Sequence, residues 1–274
     1  MQLSEMNRNT DDAEPGESLD ASKNNEDRYY ITALARGLEV LACFRSADKG
    51  LTNQQIAERC GLPKSTVTRI TYTLTTLGYL AQESGGRYML GTATLGLGSA
   101  MLARLDIRQL ARPMMQDLAE FSGTTVSIAM RDRLSMIYVE NCRPAEVTTL
   151  RMDAGVRLPL ATTAAGRAFL AATPEKEREH LMAALAAKYG EGWVAIRDSL
   201  QASFEEFARH GFCLSLGDWD RNVMAAGVPL HLADGSIMAL TCGAPSFQLS
   251  EETLKGSLAH QLEMLARDIE SLGV

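Results

Sequence analysis

The stretch Thr52 to Leu80, TNQQIAERCGLPKSTVTRITYTLTTLGYL, constrains the chain most, because it leaves room for two short helices and one tight turn between them. Thr52 followed three residues later by Gln55 is a capping box, in which hydroxyl and amide each take up an orphan N–H at a helix start. Ile56, Ala57 and Cys60 give that helix an apolar side. Gly61 stands where a left-handed residue ends a helix, and Pro63 suits the first turn of the next, where its missing N–H would have no partner. The second helix is expected over about Lys64 to Leu77, with Val67, Ile70, Leu74 and Leu77 as its inward stripe.

The other side of that helix carries Lys64, Ser65, Thr66, Thr68, Arg69, Tyr72 and Thr73, and no acid occurs from Lys64 to Leu80. A solvated face ordinarily mixes both signs of charge, and threonine, used six times here, is a mediocre helix former. Hydroxyls with Lys and Arg supply donors for phosphate oxygens and forks for guanine edges. The pair therefore reads as a helix-turn-helix with its second helix in the major groove; the bland alternative is an ordinary surface helix pair. Gly78 to Leu90 then gives a strand, a Ser84-Gly85-Gly86 turn and a second strand. A hairpin there is a wing, with Arg87 at its root placed for backbone or minor groove. Upstream, Ile31, Leu34, Leu38, Leu41 and Phe44 line one side of a helix that would close a three-helix core. The whole is a winged helix-turn-helix.

The formal charge of −7 suits this only once it is divided. Residues 1–27 hold two basic against eight acidic side chains, and 105–274 sixteen against twenty-two. Residues 28–104 hold nine Lys/Arg against four acids, a net +5 where the motif lies. The five cysteines (Cys43, Cys60, Cys142, Cys213 and Cys242) are widely spaced in apolar contexts and read as reduced core residues. No metal or cofactor is expected. No apolar run reaches about 18 residues, so a soluble, cytoplasmic protein of bacterial type is expected, with no membrane partner.

Residues 1–27 form an acidic tail with the composition of disorder. Thr92 to Arg104 is a small, apolar helix and Ile107 to about Phe121 another, capped by Asp106, with Leu110, Met114, Leu118 and Phe121 on one face. The first suggests a dimer contact, though it could pack on its own chain. From Gly123 the pattern becomes α+β. Strands are expected at Thr125 to Met130, Leu134 to Asn141, Val147 to Met152, Phe212 to Leu216, Val223 to His231 and Ser236 to Cys242. Helices are expected at Thr162 to Ala171, Pro174 to Tyr189 and Phe204 to His210, with a last one capped by Ser250 and striped by Leu254, Leu258, Leu262, Leu265 and Ile269. Strands in one layer with helices against them resemble a GAF- or PAS-type sensing domain, so the fold class is α+β with a linker helix between two domains. The expected boundaries are 28–91 for the winged domain, 92–106 for the linker and 107–274 for the GAF-like α/β domain.

Gly211-x3-Ser215-x2-Asp218-x6-Ala225-x-Gly227-x2-Leu230-His231, with Leu158-Pro159-Leu160 and Ala164-Ala165-Gly166-Arg167-Ala168, resembles the signature of the IclR family of transcriptional regulators. The resemblance covers about Tyr30 to the C-terminus. Asp218 stands in place of the family's Glu, Arg167 in place of Lys, Ala226 in place of a larger aliphatic and Leu232 in place of Asp or Asn. The resemblance implies an N-terminal DNA-binding domain, a dimerising linker helix and a C-terminal domain for a small effector, in a repressor, an activator or both. The effector pocket carried over from the glyoxylate- and pyruvate-responsive member falls on Thr149, Met152, Leu158, Ala164, Ala165, Ser215, Val223, Ala225, Thr241 and Gly243. Ser215 removes a fixed negative charge and Gly243 opens volume, so an aromatic or longer-chain organic acid fits better than a two-carbon one. N–H groups near Ala164, Ala165 and Gly166 would receive its carboxylate.

Two other classes compete. An enzyme would need a constellation that His180, His210, His231 and His260, dispersed as they are, do not make, and no nucleophile elbow, metalloprotease motif or phosphate loop is present. A winged helix used only for protein contact would not need the acid-free second helix. The expected partners are a near-palindromic operator in double-stranded DNA and an organic-acid effector, acting on a homodimer or tetramer that joins the nucleoid when bound. The residues expected at DNA are Asn53 and Gln54 near phosphates, Lys64, Ser65, Thr66, Thr68, Arg69, Tyr72 and Thr73 on the second helix, and Arg87 on the wing. A catabolic operon is the expected target.

Overall fold

The computed structural model describes residues 29–45, 48–145, 150 and 152–273, and the acidic tail and Thr149 lie outside them. The chain divides after Arg104 into two compact units.

The first unit runs α1 (Thr32–Ala42), α2 (Asn53–Cys60), α3 (Lys64–Thr76), β1 (Leu80–Gln82), β2 (Tyr88–Leu90) and α4 (Thr92–Leu102). Each end of α2 is set by local chemistry. The Thr52 hydroxyl accepts from the Gln55 N–H, the Gln55 amide oxygen accepts from the Thr52 N–H, and Gly61 takes φ 63° as the C-cap. Pro63 is the N-cap of α3. Strands β1 and β2 pair antiparallel, and Leu51 adds a bridge to Tyr88. Val40, Leu51, Ile56, Ala57, Val67, Leu74, Leu80 and Tyr88 make the core.

Two apolar stripes differ from expectation. On α1 the buried residues are Ala35 and Val40, with Leu41 and Phe44 packed partly against the core, whereas Ile31, Leu34 and Leu38 are 64%, 59% and 54% exposed. Three small helices need only a narrow contact, so this side of α1 stays outside it. On α3 the helix stops at Thr76, Leu77 is exposed, and Thr71 is buried instead, its hydroxyl satisfied by the Asn53 side chain. Nor do the cysteines form one class: Cys142, Cys213 and Cys242 are buried, but Cys43 and Cys60 are half-exposed.

The second unit is mixed α+β. Six strands lie in the order β5-β4-β3-β8-β7-β6, every neighbouring pair antiparallel: β3 (Thr125–Asp132), β4 (Ser135–Cys142), β5 (Arg157–Pro159), β6 (Cys213–Leu216), β7 (Val223–His231) and β8 (Ile237–Pro245). The helices are α5 (Asp106–Ser122), α6 (Ala164–Ala172), α7 (Glu175–Tyr189), α8 (Trp193–His210) and α9 (Ala259–Glu270). Here α5 packs on β3 and β4, α6 on β6, β7 and β8, and α9 on β7 and β8. Ser250 caps the approach to α9, and Leu254, Leu258, Leu262, Leu265 and Ile269 are all buried, although Leu254–Leu258 winds as a π-helix. Asp106 lies in the first turn of α5 rather than at its cap, and the buried side of α5 is Ile107, Ala111, Met115 and Ala119, one position on from the expected stripe. The expected short helix at Phe204 is the second half of α8. Most of the strand expected at Val147 lies outside the described residues, and the short β5 follows instead. No helix among the described residues is long and apolar enough to cross a membrane.

Candidate DNA-reading face and ligand cavity

Lys64, Ser65, Thr68, Arg69, Tyr72 and Thr73 are exposed on α3, and Thr66 is half-buried. Ser65, Arg69, Tyr72 and Thr76 recur at the spacing of one helical face, so Thr76 shares the surface although sequence reasoning passed over it. The threonine hydroxyls donate inward along their own helix: Thr68 to the Lys64 carbonyl (2.9 Å), Thr73 to that of Arg69 (3.0 Å) and Thr76 to that of Tyr72 (2.9 Å). With their protons so placed, these side chains offer outward a methyl group and a lone pair. That suits a thymine methyl or an amino group on a base edge.

Helix α2 is locked to α3 through polar side chains. The Asn53 amide accepts from the Thr71 hydroxyl (3.1 Å) and donates to that of Thr68 (3.4 Å). Gln54 accepts from Lys64 Nζ (3.2 Å) and donates to Glu58 (3.0 Å). Asn53 thus holds the two helices at a fixed crossing, and Gln54 holds Lys64 beside the first turn of α3. Arg87 donates to the Gly50 carbonyl (2.9 Å), which anchors the wing root to the strand bridge at Leu51 while the residue stays exposed.

In the second unit a cleft of about 450 Å³, its mouth included, is lined by Thr125, Ser127, Tyr138, Leu150, Met152, Leu158, Thr163, Ala164, Ala165, Ser215, Trp219, Val223, Ala225, Thr241 and Gly243. Nine of the ten residues expected at an effector meet here, and Thr149 is outside the described residues. Among the described residues that line the cleft, none is charged. Thr163 caps α6: its hydroxyl accepts from the Gly166 N–H (3.2 Å) and donates to the Pro159 carbonyl (2.8 Å). The N–H groups of Ala164 and Ala165 belong to the first turn, which has no intrahelical acceptors for them. Two glycines let α6 come this close. A Cβ on Gly166 would meet the Leu160 carbonyl oxygen at 1.9 Å, and one on Gly227 would meet that of Ala164 at 2.5 Å.

In the same lining the Tyr138 phenol is withdrawn from solvent although the residue as a whole is only half-buried. Burial pushes the phenol up to about 12, against the pull of hydrogen bonds with Thr241 and Ser127, so it stays protonated at neutral pH. Sequence reasoning missed Tyr138, Ser127, Thr125, Leu150, Thr163 and Trp219. A resemblance to one pocket transfers only that pocket's positions, and alternation along β3 and β4 was the signal that could have found Ser127 and Tyr138.

Behind the cleft, Arg167 is 5% exposed and joins three elements. It donates to the Leu214 carbonyl (2.7 Å), to the Ser199 hydroxyl (2.7 Å) and to Asp218 (3.1 Å), next to Trp219. The two positions that depart from the signature in opposite directions, a longer cation and a shorter acid, are thus partners.

Comparison with known proteins agrees with both halves. Residues 33–84 match the IclR helix-turn-helix domain and residues 99–271 the bacterial transcriptional regulator IclR C-terminal domain. The chain is 34% identical to the HTH-type transcriptional regulator TsaQ1/TsaQ2 of Comamonas testosteroni, over 88% of each chain. It is 44% identical to a solved IclR family transcriptional regulator from Brucella abortus, with a TM-score of 0.80 over 90% of this chain and 94% of that one. An IclR homologue from Microbacterium hydrocarbonoxydans, solved with 4-hydroxybenzoate, shares the fold at 24% identity and a TM-score of 0.69, over 88% of this chain and 98% of that one.

Proposed function

We infer, from the premise that the chain belongs to the IclR family of DNA-binding transcriptional regulators, that it controls a catabolic operon in response to an aromatic organic acid held in the second unit. The observation that carries this reading is the chemistry of the cleft. Its lining combines the first turn of α6, the Tyr138 phenol with Ser127 and Thr241, and the apolar Met152, Leu158, Val223, Ala225 and Trp219. A carboxylate is received by the helix terminus. A ring would contact the apolar lining, and a ring hydroxyl would have the Tyr138 phenol as a hydrogen-bond partner. The absence of a fixed cation among the described lining residues favours a ligand whose affinity comes mainly from apolar contact.

The assignment gives 28–91 the task of reading DNA, 92–106 that of linking and 107–274 that of sensing. Helix α4 has no buried residue and exposes Leu95, Leu97 and Met101, which supports a second copy as its cover. A dimer would place its two α3 helices roughly 34 Å apart, or a multiple of that, on a near-palindromic operator, with the protein in the cytoplasm and at the nucleoid when bound.

Calorimetry tests the ligand class. 4-Hydroxybenzoate and related ring acids should bind the full-length protein, and glyoxylate should not. Tight glyoxylate binding with none for ring acids would contradict the reading.

A further inference from the structure

The DNA-reading unit contains a pair of thiols that neither DNA contact nor effector binding uses. Cys43 is the C-cap of α1 and Cys60 the last residue of α2. Both converge on one carbonyl: the Cys43 N–H donates to the Glu39 oxygen at 3.0 Å and the Cys60 thiol to the same oxygen at 3.8 Å. Both side chains pack against the same core while remaining half-exposed. Arg59 sits beside them, its guanidinium donating to the Cys43 carbonyl (2.9 Å) and clamped by Asp48 (2.6 Å and 2.8 Å). The hydrogen bond with Cys43, with Arg59 near, holds the Cys60 thiol below its usual range, and the same bond together with burial pushes Cys43 up. Two half-exposed thiols on residues that converge on one backbone oxygen, with a guanidinium beside them, have the makings of an oxidisable couple.

We propose that Cys43 and Cys60 form a peroxide-sensitive dithiol, and that closing it to a disulfide weakens the protein's grip on DNA. The Cys60 thiolate attacks a hydroperoxide oxygen, forming S–O as O–O breaks, and the leaving oxygen takes a proton to depart as water or an alcohol. Cys43, losing its proton, then attacks the Cys60 sulfur; S–S forms, S–O breaks and hydroxide leaves with that proton as water. Two electrons pass from the sulfurs to the peroxide.

The bond brings the sulfurs to about 2.05 Å, closer than two thiols in contact, and in this proposal the ends of α1 and α2 move with them. Val40 of α1 and Ile56 of α2 are fully buried in the same core, and a packed core has little slack to absorb the change. The displacement passes along α2 to Asn53 and from there, through Thr71 and Thr68, to α3.

The test treats full-length reduced protein with a few equivalents of hydrogen peroxide, alkylates the remaining thiols and maps the peptides. Affinity is then measured on a duplex that the reduced protein selects from fragments of its own genome. The expected result is a Cys43–Cys60 linked peptide, with the other three thiols alkylated, and affinity lower by about tenfold or more, restored by dithiothreitol. Cys60→Ser and Cys43→Ser proteins should bind the duplex and ignore peroxide. Alkylation of both thiols after treatment would overturn the proposal, as would a linked protein that binds the duplex as tightly as before. Because the link is read on unmutated protein, a variant that fails to fold does not obscure the result.

Discussion

We propose Arg69 as the base-reading side chain of α3, since it is exposed among threonines whose protons are already engaged. Arg69→Ala should cost about 1–3 kcal/mol in operator affinity and relax the preference at one base position, read by binding to a single-position duplex library. An unchanged affinity and profile would remove it from the reading set. In the cleft, Tyr138→Phe should weaken a hydroxylated ring acid by about 1 kcal/mol, the typical worth of one neutral hydrogen bond, while leaving the unhydroxylated analogue unaffected. Calorimetry on the pair of ligands separates the two outcomes. Such residues differ in how legible they were. Lys64, Arg69 and Arg87 stand out because an acid-free helix is unusual, whereas Tyr138 looks like any strand aromatic until folding places it over Ser127 and Thr241. Arg167 and Asp218 read as two separate departures from a signature, and only three-dimensional proximity makes them one ion pair.

At the scale of elements, capping chemistry was the most legible signal because it acts within four residues. The box at Thr52 and the left-handed Gly61 both sit where the sequence put them. Thr52→Ala should lower the stability of the first unit by about 1 kcal/mol, seen in its thermal or denaturant transition. The apolar stripes of α1 and α5 were less legible, since a helix with apolar residues on two sides does not say which side its neighbours cover.

The Asp48–Arg59 pair adds a pH dependence. Burial alone would raise the Asp48 carboxyl, but the Arg59 hydrogen bonds, the Arg45 N–H and the arginine charges outweigh it, and the carboxyl is held below its usual value. A depressed folded-state value means that the unfolded chain takes up the proton first. The stabilisation is therefore present above about pH 4, the ordinary carboxylate value, and is lost as pH falls through the folded value. The stability gap between the native protein and Asp48→Asn should shrink from pH 7 to pH 3; a gap that persisted would contradict this origin.

A further chain of contacts leads away from the cleft. Ser127 donates to Asn141 (2.6 Å), the Asn141 N–H to Glu140 (3.1 Å), and Glu140 holds Arg108 (3.0 Å) and Arg112 (2.5 Å) on the first turns of α5. In the proposed reading a ligand that re-aims Ser127 would act on α5 through this chain of contacts. Glu140→Gln should leave ring-acid affinity nearly unchanged in calorimetry while reducing the effect of that acid on operator binding.

For the molecule as a whole, the decisive feature is partition: net +5 over residues 28–104 against acidic flanks on both sides, and an uncharged described cleft lining in a separate unit. Local charge supplies attraction to phosphates, and the acidic remainder keeps that attraction from becoming indiscriminate. The most direct test is operator binding by fluorescence anisotropy over a range of salt concentration, with and without a saturating ring acid. The logarithm of the affinity should fall linearly with the logarithm of salt concentration, and the acid should displace the whole line. A salt-independent affinity, or a line that no ring acid moves, would contradict the account.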